Sequence, residues 1–170
     1  KTFITIHGQN SDYETDDDGG ISGTEIQPKD KTTGTWELDM DHPRLWSTED
    51  PYLYTCNVHI FDFYTNEELD SVSVRFGFRT LKFDADKGFF LNGKPYPLHG
   101  VSRHQDRKGA GIALTNAMME EDLSIILEMG ANTIRLAHYQ HAQHFYDLCD
   151  EKGLVIWAEI PYITMHMPKG

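Results

Sequence analysis

The chain has 170 residues, 39% hydrophobic and 12% aromatic, enough to bury the core of one domain or of two small ones. Its net charge of −12 speaks against a nucleic-acid partner, which calls for a basic face, and leaves no polybasic segment for an anionic membrane. No apolar run reaches transmembrane length and Lys1–Ile6 is too short for a signal peptide, which says little about location in a piece of a longer chain; the location is left unknown, with the cytoplasm favoured. Cys56 and Cys149 are too few for a disulfide framework and are expected as reduced core residues.

Residues 1–78 alternate in the manner of strands. The runs are Phe3, Ile4 and Ile6; Thr35-Trp-Glu-Leu38; Leu53 to Phe61; and Val72 to Phe76, separated by turns rich in Asp, Gly, Asn and Pro. This pattern predicts an antiparallel β-sandwich. Its strands are few for a complete one, and the chain begins almost inside a strand, so an amino-terminal truncation is expected.

Residues 79–170 change character. Phe89 to Tyr96 reads as a hairpin turning on Asn92-Gly93, a pair suited to a type I′ turn. A short strand, Leu98–Val101, precedes a helix over Ala117–Met129, with Thr115 or Asn116 as cap, Gly130 as stop and an apolar stripe of Met119, Leu123, Ile126 and Leu127. A strand over Thr133–Ala137 leads to a helix over His141–Lys152 that buries Ala142, Phe145, Leu148 and Cys149, and Gly153 stops it. The last strand is Leu154–Ile160. The order β-α-β-α-β with short connections predicts parallel strands with right-handed crossovers. Three such units are too few for a (β/α)8 barrel of about 250 residues, and the reading favoured is a barrel interrupted at Gly170.

Chemistry in such a barrel sits past the carboxyl ends of the strands. His104 and Asp106 follow the first strand, flanked by Arg103 and Arg107, whose charges can also be satisfied within a polar loop. Arg135 lies inside an apolar strand on the face opposite Ile134 and Leu136, where it is costly without a carboxylate or a bidentate ligand. His138 ends that strand. His141 and His144 have helical spacing but no H-E-x-x-H pattern, so they read as surface or capping residues and no metal is assigned. Glu159 ends the third strand after Trp157, an aromatic able to carry a sugar or to fill core. One carboxylate there cannot run glycoside hydrolysis, which needs two.

Six segments together carry a resemblance: Leu45-Trp-Ser-Thr-Glu-Asp-Pro-Tyr-Leu-Tyr54, Arg75-Phe-Gly-Phe-Arg79, Gly88-Phe-Phe-Leu-Asn-Gly-Lys-Pro95, Gly100-Val-Ser-Arg-His-Gln-Asp106, Gly130-Ala-Asn-Thr-Ile-Arg-Leu-Ala-His-Tyr139 and Trp157-Ala-Glu-Ile-Pro161. In this order and spacing the chain resembles glycoside hydrolase family 2, in particular its β-galactosidases. The resemblance implies an immunoglobulin-like sandwich over residues 1–78, followed over 79–170 by the first three β/α units of a TIM-barrel catalytic domain. It implies a sugar-binding role for His104, Arg135, His138, Asp106 and Glu159, with Arg135 and His138 holding a carboxylate and Glu159 supporting rather than performing the chemistry. Both catalytic Glu of the family would lie beyond residue 170, so the fragment itself is expected to be inactive.

Departures are also visible. Ser102 stands where the family more often has Asn, Gln140 replaces a Pro, and Ile163 falls where some members have a magnesium-binding Glu, although His166 is near. No cofactor is expected. The parent activity implied is retaining exo-hydrolysis of terminal β-D-galactosides. Alternatives are β-glucuronidase, for which no convincing basic cluster is seen, β-mannosidase, or a non-catalytic carbohydrate-binding module. Family members are often homo-oligomers, which makes a homo-oligomer an expectation here.

Overall fold

The computed structural model describes residues 2–9, 14–17, 33, 35, 37 and 39–162. The chain divides into two compact units, residues 1–44 with 52–78, and residues 45–51 with 79–170.

In the first unit, β1 (Thr2–Gly8), β2 (Glu14–Asp17), β3 (Tyr54–Phe61) and β4 (Glu68–Phe76) form an antiparallel sheet in the order β2-β1-β3-β4. Ile4 and Ile6 of β1 stand opposite Val58 and Cys56 of β3, which stand opposite Val72 and Val74 of β4. The two-residue period therefore gathers these apolar side chains on one face. Ile6, Tyr52 and Tyr54 are buried, with Met40, Cys56, Phe76 and Phe78 packed around them. Tyr54 stacks on Phe76 at 5.7 Å, and its hydroxyl accepts the Arg44 N–H at 2.7 Å, so the polar tip of a buried ring is satisfied.

Of the run expected over 35–38, Thr35 and Glu37 belong to no strand, and Trp36 and Leu38 lie outside the described residues. Among the described residues the unit has this one sheet.

The second unit opens with an antiparallel sheet of β5 (Leu81–Asp84), β6 (Gly88–Leu91) and β7 (Lys94–Pro95). Asn92 (φ 50°) and Gly93 (φ 77°) make the β6–β7 turn with both central residues in the left-handed region, as a type I′ turn requires. The segment 45–51 also belongs to this unit. Trp46 is buried; its indole N–H donates to the Asp150 carbonyl at 2.7 Å, and the Arg79 guanidinium lies 4.4 Å from its ring.

Then come β8 (Gly100–Arg103), α1 (Asn116–Glu128), β9 (Thr133–Leu136), α2 (Gln143–Lys152) and β10 (Val155–Ala158). The three strands form a parallel sheet with β9 in the middle, in register from Gly100–Thr133–Val155 to Arg103–Leu136–Ala158. The first strand runs later than the expected Leu98–Val101. Thr115 caps α1 by accepting the Met118 N–H at 3.3 Å.

Gly153 closes α2 with φ 74°, and a Cβ at that position would run into the Thr48 carbonyl. The helices cover one face of the sheet: Met119, Leu123 and Ile126, Ile134 and Leu136, Phe145 and Cys149, and Leu154 form one buried cluster. Leu127, expected in that stripe, is 37% exposed, because it lies on the flank of the face that 119, 123 and 126 define.

Candidate active site at the carboxyl ends of the parallel strands

The strand register decides what faces where. Ser102, Arg135 and Trp157 stand side by side across β8, β9 and β10, on the face away from the helix-packed Ile134 and Leu136. Trp157 is 61% exposed among these 170 residues. Arg135 Nε donates to Glu159 Oε1 at 2.6 Å, and its Nη1 donates to Ser102 Oγ at 3.3 Å. Glu159 Oε2 accepts the His138 N–H at 2.7 Å and lies 3.3 Å from His138 Nδ1. The His138 N–H and the Arg135 guanidinium hold the Glu159 carboxyl below the usual carboxylate range. Both its oxygens are committed and it stays ionised, the opposite of what a general acid needs. Glu159 is therefore built as an anchor.

His138 itself is held in an unusual shape. Its φ is 73°, and the following Tyr139 N–H bonds back to the Ala137 carbonyl at 3.0 Å, the pattern of a γ-turn. A left-handed residue with a Cβ costs about 1–2 kcal/mol. The bond from its N–H to Glu159 offsets part of that, and its ring stands 5.1 Å from the His104 ring in an edge-on contact. The structure thus brings together His104, Arg135, His138 and Glu159. Asp106 is exposed in the loop after β8 and is not drawn into this group.

Sequence reasoning missed a second layer behind the site. Arg103 alternates with Ser102, so it enters the helix-covered face and is buried at 6% exposure. Its Nε and Nη2 donate to Asp122 Oδ2 of α1 at 3.1 and 2.8 Å, its Nη1 donates to His141 Nδ1 at 3.1 Å, and its guanidinium lies 3.9 Å from the Phe145 ring. Arg107 pairs with Glu121 and Asp122 at 2.6 and 2.7 Å. These arginines therefore bind a helix rather than their own loop.

His141 is not the surface or capping residue expected: it is buried at 6% exposure, whereas His144 pairs with Glu120 at 3.1 Å. Gln105 ties the loops further, its N–H donating to the Tyr139 hydroxyl at 3.1 Å and its Oε1 accepting the Ala142 N–H at 2.6 Å. The available signal was the alternation that placed Arg103 inward opposite acidic α1.

Cys149 is buried and its thiol is pushed up to about 12, leaving it an apolar filler; Cys56 is half-buried. Among the described residues no three His, Cys, Asp or Glu side chains converge as metal ligands, and Ile163 and His166 lie outside the described residues. No helix among the described residues is long and apolar enough to cross a membrane.

Comparison with known families decides the affiliation. Residues 84–170 match the family model "Glycosyl hydrolases family 2, TIM barrel domain" and residues 2–79 match "Glycosyl hydrolases family 2". The chain belongs to glycosyl hydrolase family 2. Family 2 relatives include a β-glucuronidase of Bacteroides fragilis, 50% identical over 127 residues that cover 74% of this chain and 18% of that protein. A β-galactosidase of Thermoanaerobacter pseudethanolicus is 38% identical over 126 residues, covering 74% of this chain and 17% of that protein. A solved structure of Bacteroides uniformis β-glucuronidase 2, covalently bound to cyclophellitol-6-carboxylate aziridine, is similar with TM-score 0.81 and 35% identity, covering 98% of this chain and 20% of that chain. The chain spans less than a fifth of the length of these two curated relatives.

Proposed function

We propose that these residues are the opening part of a retaining exo-β-glycosidase, with a sandwich domain to residue 78 and the first three β/α units of an eight-stranded barrel from residue 79. The observation that carries the reading is the Arg135–Glu159–His138 group at the carboxyl ends of parallel strands, beside His104 and an exposed Trp157. Glu159 anchors Arg135 and the His138 turn. His138 and His104 then donate to or accept from hydroxyls of the terminal sugar, Trp157 offers an aromatic face, and Asp106 serves at the rim.

The acid/base and nucleophile carboxylates are supplied by the remainder of the full-length protein. One attacks the anomeric carbon, the other protonates the leaving oxygen, and water releases the sugar. The 170 residues alone hydrolyse nothing.

The substrate is a terminal β-D-galactoside or β-D-glucuronide. Relatives of both activities support the reading. The 50% identical β-glucuronidase favours the glucuronide, as does the relative held covalently by a ligand with a 6-carboxylate. The test is a panel of 4-nitrophenyl β-D-galactoside, β-D-glucuronide and β-D-mannoside on the full-length protein. Turnover of one of them with retention at the anomeric carbon is expected. Binding of sugar without turnover of any would replace the reading with that of a non-catalytic carbohydrate-binding protein.

A further inference from the structure

We propose that His141 is a positioning residue for the sugar site, a neutral ring clamped by Arg103 that holds the 137–142 turn and so sets where His138 stands. The inference rests on the glycosidase reading above. An arginine only donates, so the 3.1 Å contact from Arg103 Nη1 requires an unprotonated His141 Nδ1, and the ring proton sits on Nε2. That N–H points at the Ala137 carbonyl, 3.5 Å away, the same oxygen that closes the γ-turn around His138.

Ala137 is itself fixed from the other side, its N–H donating to the Arg103 carbonyl at 3.0 Å. Tyr139 lies against the His141 ring at 5.2 Å and takes the Gln105 N–H on its hydroxyl. Arg103 thus grips both ends of the turn, through its backbone at Ala137 and through its side chain at His141. A strained turn persists where its surroundings over-determine it.

The clamp works only with the ring neutral. The charged and titratable groups facing His141 are Arg103 from β8, His104 from the following loop and Tyr139 within the turn, with Asp122 of α1 behind Arg103. Burial holds the His141 imidazolium below its ordinary range; the Ala137 carbonyl opposes this, and Arg103 and His104 add to it. A His whose folded value is lowered keeps its contribution above the ordinary range near 6.5 and loses it as pH falls through the folded value. Protonation would put a cation and a donor against Arg103 and release the turn.

The experiment compares wild type, His141→Leu and His141→Asn in the full-length protein, using whichever 4-nitrophenyl β-glycoside the wild type turns over. Asn places an oxygen near the position of Nδ1 and does not titrate. His141→Leu is expected to lower kcat/KM on the order of tenfold, chiefly through KM, and His141→Asn, which keeps the Arg103 contact but not the donation to the Ala137 carbonyl, to restore part of that loss. As pH falls through the lowered His141 value, the kcat/KM of wild type falls more steeply than that of His141→Asn. A Leu variant with wild-type KM, or an Asn variant as impaired as Leu, overturns the proposal. If the Leu variant does not fold, the acid-limb comparison between wild type and His141→Asn decides, and identical profiles overturn it.

A wild type that turns over none of the panel defeats the glycosidase reading alone. Amide exchange over residues 137–142 then judges the clamp: faster exchange in the Leu variant and restored protection in the Asn variant support it, and unchanged exchange overturns it.

Discussion

Two arginines on neighbouring strands show how one sheet serves two purposes. Arg103 and Arg135 both project from short parallel strands and each meets one carboxylate at close range, Asp122 for the first and Glu159 for the second. The register pairs Arg103 with Leu136 and Ser102 with Arg135, so the two guanidinium groups leave the sheet on opposite faces. Arg103 goes under the helices, with its side chain 5% exposed; Arg135 goes to the open face and is 40% exposed. The covered ion pair, with Phe145 against it and His141 beside it, ties strand to helix. The open one leaves its partner ionised, with His138 and His104 beside it. The same chemical pair ties strand to helix on one side of the sheet and strand end to strand end on the other.

That contrast can be broken first on the covered face. Phe145→Ala should cost about 4 kcal/mol of stability, read by denaturant unfolding of the full-length protein, because it leaves a cavity under the sheet and uncovers Arg103. Arg103→Leu should cost about 3 kcal/mol, since Asp122 keeps Arg107 but loses its buried partner. Gly153→Ala should cost about 2 kcal/mol, combining a left-handed φ with the collision at the Thr48 carbonyl.

On the open face the comparison sharpens through pH. The folded Glu159 carboxyl lies below its unfolded value, so its contribution is complete above the ordinary carboxylate range and is lost only as pH falls through the lower folded value. The difference in thermal midpoint between wild type and Glu159→Gln should therefore stay constant from about pH 8 to pH 5 and narrow only in stronger acid. Last and smallest, Cys149 should resist a thiol reagent at about pH 8 in the native protein and react once unfolded.

Much of this was legible in the residues. The periods of two and of 3.6, the Asn92-Gly93 turn, the Thr115 cap and the stops at Gly130 and Gly153 are local signals, and local geometry follows them. Arg135 on the face opposite Ile134 and Leu136 followed from alternation alone, and Glu159 at the end of the next strand from spacing. What was not legible depended on partners distant in the chain. Arg103 looked like a loop charge because its carboxylate lies 19 residues away on a helix, and His141 looked exposed because its acceptor role exists only once Arg103 is buried. Thr35 and Glu37 alternate with apolar residues yet lie in no strand. β5 was missed because its Leu81 and Phe83 lack a longer apolar run, and both remain half or more exposed.

In the proposed function the open face is a substrate wall anchored by Glu159. Its most direct test is kcat/KM of full-length wild type and Glu159→Gln on the 4-nitrophenyl β-glycosides, with each thermal midpoint measured alongside. A loss on the order of a hundredfold is expected in the variant, with a midpoint within about 3 °C of wild type. A variant that keeps wild-type kcat/KM on every substrate would contradict it.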